Sequence, residues 1–491
     1  MTTWKPRFNY AWDWTPRLVQ LGVWDALTLE VTDGDEIRDL RAWTSMEMRM
    51  ETGNLNVRGH VGGTRARRVR CVLTQRENVI HEERFTASEF QVGVSFRDIP
   101  VRLWWPNGAG AQPVYTLRVE LLDEAETVLD AVERRVGFKH VEWRPCEGAP
   151  EDADPWLCVV NGKPIHLRGV AWMPIRPHFA DVTAADYRKR LELYRDLGAN
   201  TIRVWGGTYL EKTCFYDLCD ELGLLVWQEF PLSASGSDAW PTEQAEAIAQ
   251  MNAIARSFVS RRQHHASLML WGGGHALQTD PDGRIGGVGR PCGLDHPMLA
   301  MLADVVDELD PTRRFVPTSA SGPFATAERE RFGQGLHWDV HGPWVAPGDL
   351  AEWAAYWQGD DALFRSEVAA PGASGVDLVE IHAGELQPTP IDSANPFWRR
   401  TASWPDAEAF SAVTGRAPRD LREFVAWSQQ RQAEALSIAA RASADRFPRT
   451  GGFLVWFGHD CFPCASSTAI VDYWGRPKPA ANALKEIWRG S

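Results

Sequence analysis

The sequence predicts a multidomain chain in which a β-sandwich is followed by a (β/α)8 TIM barrel. Three observations lead there. The 491 residues exceed what one hydrophobic core sustains, because single cores stop growing at roughly 250–300 residues. Between residues 27 and 142, short alternating stretches such as 67–73 and 115–121 are separated by turns bearing Gly, Asn and Asp. That is the spacing of sandwich strands. From residue 165 the texture becomes short apolar runs alternating with helical periodicity, as a barrel requires. A doubly wound sheet is the competing fold. It lacks support, since no Gly-rich phosphate loop follows the first strand.

The barrel strands are expected at residues 165–172, 200–205, 224–230, 268–272, 315–319, 338–341, 362–367 and 452–457. A helix is expected over 183–197, opened by Thr183 as N-cap and closed by Gly198. A second, over 211–222, closes at Gly223 in the same way. Active sites of such barrels lie at the C-terminal ends of the strands. Those ends hold Trp172, Arg203 to Trp205, Glu229, Trp271 to Ala276, Ser319 to Ser321, His341 to Trp344, Glu367 and Trp456 to Asp460. Tryptophan, histidine and acids are concentrated there beyond what a folding scaffold needs.

The balance of 52 Lys+Arg against 65 Asp+Glu gives −13, which argues against a nucleic-acid partner. No apolar run approaches the roughly 18–20 residues that span a bilayer. The first nine residues lack a signal peptide's apolar segment. With Met1 as the start, a cytoplasmic protein without a membrane partner is expected. The eight cysteines are scattered, and the one C-x-x-C pair, Cys461 and Cys464, has no second pair to complete a zinc site. Free thiols are expected. The 24 tryptophans against 8 tyrosines fit either core filling or platforms for sugar rings.

The motifs then become specific. Residues 8–30, 103–117, 161–174, 201–207, 215–230 and 452–479, in that order, resemble glycoside hydrolase family 2 and within it the β-mannosidase branch. The resemblance implies three regions. Residues 1–30 would be a remnant of a jelly-roll sugar-binding domain, 31–145 an immunoglobulin-like sandwich and 146–491 the catalytic-type barrel. It also implies retaining hydrolysis of a β-glycoside, with two carboxyl groups about 5–5.5 Å apart. Glu367, following Ser366 on the seventh strand, maps onto the nucleophile, and Arg203 is placed to hold it ionised.

The fourth strand departs from the family. Where the resemblance calls for Gly-Gly-Asn-Glu, this chain reads Gly273-Gly274-His275-Ala276. Histidine replaces the asparagine and alanine the acid/base. A methyl group donates no proton, so ordinary general-acid catalysis from residue 276 is excluded. Near the first strand, Ala171 and Arg176 stand where the family has Asn and Asp. Arg176 suits an anionic substrate group, or it is a solvent-facing arginine on a barrel loop. Trp12 and Asp13 match a family segment that reaches into the barrel site, with Asp13 binding hydroxyls. Trp172, Trp205, Trp271, His341, Trp344 and Trp456 complete the expected substrate shell.

Three functions remain open at this point. One is a glycosidase in which Glu367 attacks and His275, Glu229, Asp339 or Asp460 substitutes for the lost acid, or the leaving group departs unprotonated. Another is a repurposed barrel catalysing a non-hydrolytic reaction in small-molecule biosynthesis. The third is a non-catalytic sugar-binding subunit. The expected partner is a carbohydrate or glycosylated small molecule, and no metal or organic cofactor is implied. A truncated front sandwich would leave apolar faces open. A homo-oligomeric neighbour, a partner chain or the chain's own barrel is expected to cover them.

Overall fold

The structure, a computed structural model, describes residues 4–10, 17–47, 52–234, 240–279, 290–392, 394–399 and 407–490. The sandwich is present. Strands Glu36–Glu47, Thr52–Gly62 and Val94–Ile99 form one sheet. Arg68–Gln75, Asn78–Thr86, Tyr115–Leu122 and Val128–Val136 form the other. Burial alternates along Thr52–Gly62 and Arg68–Gln75, so one face of each sheet is apolar. Leu55, Val57, Phe96, Val69, Leu73 and Leu117 meet between them. One short helix, Ala87–Val92, interrupts the strands, fixed by a Thr86–Glu89 capping box.

The barrel strands are Leu167–Trp172 (β1), Thr201–Val204 (β2), Leu225–Glu229 (β3), Leu268–Gly272 (β4), Arg314–Val316 (β5), His337–His341 (β6), Phe364–Val368 (β7) and Gly452–Val455 (β8). Their hydrogen-bonded order is β5-β4-β3-β2-β1-β8-β7-β6, ending on Gly322–Pro323 beside β6. Residues 317–321 link the two ends of this curled sheet, so it closes into a barrel. Helices Ala184–Leu197 (α1) and Thr213–Leu222 (α2) end at Gly198 and Gly223, each in the left-handed region that glycine adopts without penalty. Thr183 and Asp186 form a capping box at the start of α1.

Two boundaries differ from the sequence reading. Strand Val141–Arg144 pairs with Leu157–Val160, which packs with Trp156 under the barrel. It belongs to the barrel floor, not to the sandwich. Among the described residues before Glu36, none lies in a sheet. A strand needs a neighbour for its backbone groups, and the described residues before Glu36 make only the isolated bridge Tyr10–Arg17, with Leu18 N–H to Asn9 O at 3.2 Å. The segment lies on the barrel instead. Phe8 is buried with Met173, Trp205 and Trp456, its N–H bonds Gly207 O at 3.0 Å, and Tyr209 Oη donates to Asn9 Oδ1 at 2.6 Å. Trp24 packs on Phe179 and Tyr209.

The sandwich docks against the barrel. Trp104 Nε1 donates to Asp220 O at 2.8 Å and Lys139 Nζ to Leu268 O at 3.0 Å. Asn107 Nδ2 reaches Arg195 O and Ala199 O at the end of α1. Among the described residues, no helix is long and apolar enough to cross a membrane.

Candidate active site

Strand alternation decides which side chains enter the barrel. On β2, Ile202 and Val204 join the core under the helices, so Arg203 faces inward. On β3, Leu225 and Trp227 fill the interior floor, and Glu229 follows above them with the same parity. The guanidinium of Arg203 lies over the Trp227 ring, 5.4 Å from its centroid. Its Nε donates to Glu229 Oε1 at 2.8 Å and its Nη1 to Glu367 Oε1 at 2.9 Å. The Nη2 group reaches His275 Nδ1 at 3.0 Å.

Glu367 enters this layer through a break in the alternation. Ser366 and Glu367 are consecutive, yet both face the interior. The β7–β8 ladder slips register between Arg365 and Val368, and the β6–β7 ladder between Val340 and His341. Such bulges re-aim a side chain next to an active site. Arg365 turns outward to pair with Asp360. Glu367 is 2% exposed. Trp344 Nε1 donates to its Oε2 at 3.3 Å. His275 Nδ1 stands 3.2 Å from Oε1 and His341 Nδ1 3.4 Å from Oε2.

The tautomers follow from the network. Ser366 Oγ donates to Asp339 Oδ1, and Ser319 Oγ donates to Ser366 Oγ at 3.0 Å. Both hydroxyl protons are committed. His341 Nε2, 3.1 Å from Ser319 Oγ, is therefore the donor, and its Nδ1 is left as an acceptor facing Glu367. His275 Nδ1 accepts from Arg203, which has no lone pair to offer. Two imidazole lone pairs thus converge on one carboxyl group.

The electrostatics agree. Burial pushes both histidines well below their usual range, and the Arg203 charge adds to it. They are neutral. Burial raises Glu367 to about 8, against the pull of Arg203 and Trp344. It raises Glu229 as well and lifts Asp339 to about 6. One guanidinium serves several buried carboxyl groups, so Glu367 holds its proton more readily than an exposed glutamate.

The structure gathers Glu367, Arg203, His275, His341, Trp344, Trp456 and Trp205. His275 stacks on Trp456 with centroids 5.0 Å apart and meets Trp205 edge-on at 5.9 Å. It separates three others from this group. Trp172 faces the helices, where its Nε1 donates to Glu211 at 2.8 Å; its neighbour Ala171 faces the interior. Trp271 stacks on Phe230 and bonds Asp310 in the same outer core. Strand-end position had pointed to both, but side-chain parity points them away. Arg176 is ion-paired with Asp186 at the start of α1, matching the loop-arginine reading rather than a substrate contact. Trp12 and Asp13 lie outside the described residues.

Of the substitute acids, Glu229 is held on both oxygens, by Arg203 and by Gly206 N–H at 2.8 Å. Asp339 is likewise held by Ser366 and by Ser321 N–H. Asp460 accepts from Cys464 Sγ. His275 alone among the four contacts Glu367. Sequence reasoning missed the Ser319–Ser366–Asp339 relay. Ser319 and Asp339 were named at strand ends and Ser366 as the residue before Glu367, but nothing in the sequence joined them.

Ala276 lies beside His275, with φ of 50° and its N–H bonded to Ser319 O at 2.6 Å. No side chain extends from it toward Glu367. Residue 276 supplies no carboxyl group of the kind that retaining hydrolysis pairs with its nucleophile.

Comparison with known proteins places this site in a family. The profile of Glycosyl hydrolases family 2 matches residues 36–139, and that family's TIM barrel domain matches residues 154–323. Beta-mannosidase B of Thermothelomyces thermophilus is 29% identical over 98% of this chain, which spans 57% of that relative. Among solved structures, Beta-D-Mannosidase from Dictyoglomus thermophilum aligns with 99% of this chain and 59% of its own at TM-score 0.83 and 23% identity. The exo-chitosanase CsxA of Amycolatopsis orientalis aligns with 92% and 52% at TM-score 0.68 and 19% identity. With both of its domains matched in order and a carboxylate held at the end of β7, the chain belongs to glycosyl hydrolases family 2 and is β-mannosidase-like within it.

Proposed function

We propose that this chain hydrolyses a β-glycoside of the mannoside type, with Glu367 as the nucleophile and no general acid at residue 276. The observation that carries this reading is the setting of Glu367. It is bulged inward from β7, contacted by Arg203 at 2.9 Å and by Trp344, and flanked by the aromatic face of Trp456 through His275. The glycosyl-enzyme bond would form at a Glu367 oxygen. Departure of the leaving group is then unassisted, so substrates with acidic leaving groups are favoured.

The test is a panel of aryl β-glycosides, which need no proton donor, combined with a 2-fluoro glycoside and mass spectrometry. Release of phenol from the mannoside, with the label on the peptide containing Glu367, is expected. A label elsewhere, or silence across mannose, glucose, galactose and uronic acid forms, overturns the reading. Silence would favour a repurposed, non-hydrolytic barrel, for which the two imidazoles against Glu367 are the supporting observation. Sugar binding without turnover would favour a binding subunit.

The eight free cysteines, seven of them buried, support a reducing, cytoplasmic setting for this function. Leu27, Leu29 and Val31 are exposed at 86%, 88% and 87%. That supports covering of this segment by further protein, a second copy or a separate chain, because single exposed leucines are common but a row of three exposed apolar side chains is a patch. Light scattering should report a mass above one chain. A soluble monomer overturns the idea.

A further inference from the structure

His275, His341 and Glu367 each bring one donor atom within 4.8 Å of the other two, and all three residues are buried. We propose that they form a binding site for a divalent transition-metal ion of the zinc type. The inference does not rest on Glu367 being a nucleophile.

The spacing supports it first. A tetrahedral ion with bonds of about 2.0–2.2 Å keeps neighbouring donor atoms about 3.3–3.6 Å apart, and an octahedral one about 2.8–3.1 Å. His275 Nδ1 lies 3.2 Å from Glu367 Oε1 and His341 Nδ1 3.4 Å from Oε2, so a carboxylate that offers one oxygen to each side brings one imidazole against each, and one donor atom of each residue lies within 4.8 Å of the others. The donors need no large rearrangement to close on an ion.

The direction of the lone pairs supports it second. The committed protons of Ser366 and Ser319 make His341 Nε2 the donor and turn the Nδ1 lone pair toward Glu367. A metal-binding histidine characteristically gives its other N–H to a fixed acceptor in this way. His275 also presents a lone pair at Nδ1, now engaged by Arg203 Nη2. Lone pairs packed this closely repel unless a proton or a cation lies between them.

Charge supports it third. Glu229, Glu367 and Asp339 all act on the single buried guanidinium of Arg203. Ionised together, they would outnumber the guanidinium, and a dication would balance the excess. Arg203 is the opposing element. Its hydrogen bond to His275 must be given up and its hydrogen bond to Glu367 Oε1 given up or shared with the ion, while its contacts to Glu229 and to Ser366 O keep it in place as a neighbour of the ion. Two imidazoles and one carboxylate suit zinc, cobalt or nickel. They do not suit magnesium or calcium, which take shells of oxygen.

The experiment is calorimetric titration of the chelator-stripped full chain with Zn2+ and Co2+, and with Mg2+ for comparison. One equivalent of Zn2+ and of Co2+ is expected, with no Mg2+ heat. His275→Asn, which supplies the amide that the family resemblance puts there, should weaken Zn2+ by at least about 100-fold, more than loss of an outer-shell partner costs. His341→Asn should do the same. Unchanged Zn2+ affinity in both variants places the ion elsewhere, for example at Asp217, Asp220 and His265, which also lie within 4.8 Å of one another, and overturns the proposal. So does absence of one-equivalent binding, or equal binding of Mg2+. X-ray absorption on the cobalt-loaded native chain decides the matter if a variant does not fold. Two imidazoles around the ion sustain the proposal, and fewer than two overturn it. These readouts are binding and coordination, so failure of the glycosidase reading leaves them intact, and their failure leaves that reading intact.

Discussion

At the end of β7, Glu367 follows Ser366 over a bulge and meets a guanidinium and an indole N–H. At the end of β4, some residues that the resemblance assigns to proton delivery are replaced. His275 stands in for an amide and Ala276 for the acid. Yet the two ends remain joined by Arg203, which donates to Glu367 and to His275 alike. The electrostatic cradle around Glu367 is in place, while residue 276 offers no proton donor. A barrel mouth can therefore keep this cradle and its packing with alanine at residue 276. The cradle is anchored from below by Trp227 and Glu229, whereas residue 276 is anchored only through its backbone.

The strongest way to break this comparison is at its preserved end. Glu367→Gln keeps the shape and removes the proposed nucleophile. Turnover of an aryl β-mannoside should fall by at least about 10³-fold, the scale on which removal of a catalytic nucleophile acts. A loss of less than tenfold, measured as kcat/KM, would detach Glu367 from the chemistry.

The altered end can be sharpened by repair. The double change His275→Asn with Ala276→Glu rebuilds the pair that the resemblance expects. A restored general acid is worth about 10²–10⁴-fold. That gain should appear on alkyl β-mannosides, whose leaving groups need a proton, and be small on activated aryl ones. Residue 276 already holds a left-handed backbone with a Cβ, at φ of 50°, so glutamate meets the same backbone cost there as alanine does. Equal gains on both substrate classes would mean that the added carboxyl is not acting as the acid.

Much of this contrast was legible before any coordinates. The eight barrel strands, Thr183, Gly198 and Gly223 follow from short apolar runs and helix-end signals, which are local. Glu367 and Ala276 follow from motif register. What could not be read was direction. Trp172 and Trp271 sit at strand ends as expected, but one position along a strand turns a side chain from the interior to the helices. The bulge that lets Ser366 and Glu367 both face inward left no mark in the alternation of residues 362–367. The relay through Ser319 and Asp339 joins three strands, and such contacts are fixed by closure of the barrel rather than by spacing along the chain. Arg176 was open to two readings because its partner, Asp186, is ten positions away across a loop.

A smaller effect concerns pH. Under the proposed mechanism Glu367 attacks only as the anion, and burial raises it to about 8. For kcat/KM on an aryl mannoside, the rate should therefore rise with pH and level off above about 8, standing near 100-fold below its plateau at pH 6. The linkage runs the other way. A carboxyl raised in the folded state above its unfolded value favours folding below that unfolded value, and this contribution is lost as pH rises through about 8. The melting temperature of the native chain should then drop more between pH 5 and 8 than that of Glu367→Gln. A plateau already reached at pH 5 would show that Arg203 wins over burial.

The smallest expected effect separates the β4 end from its surroundings. If the anion-binding reading of Arg176 held, its removal would damage turnover of any acidic substrate. The structure pairs it with Asp186, whose carboxylate also accepts from Thr183 in the capping box that starts α1. Both partners are about a third exposed, so solvent screens the pair and its worth is about 0–1 kcal/mol. Arg176→Ala should change kcat/KM on an aryl β-mannoside by less than about twofold and lower stability by no more than that surface-pair figure. A selective loss on β-glucuronides relative to β-mannosides would instead bring Arg176 into the substrate shell and extend the divergence of the mouth from β4 to β1.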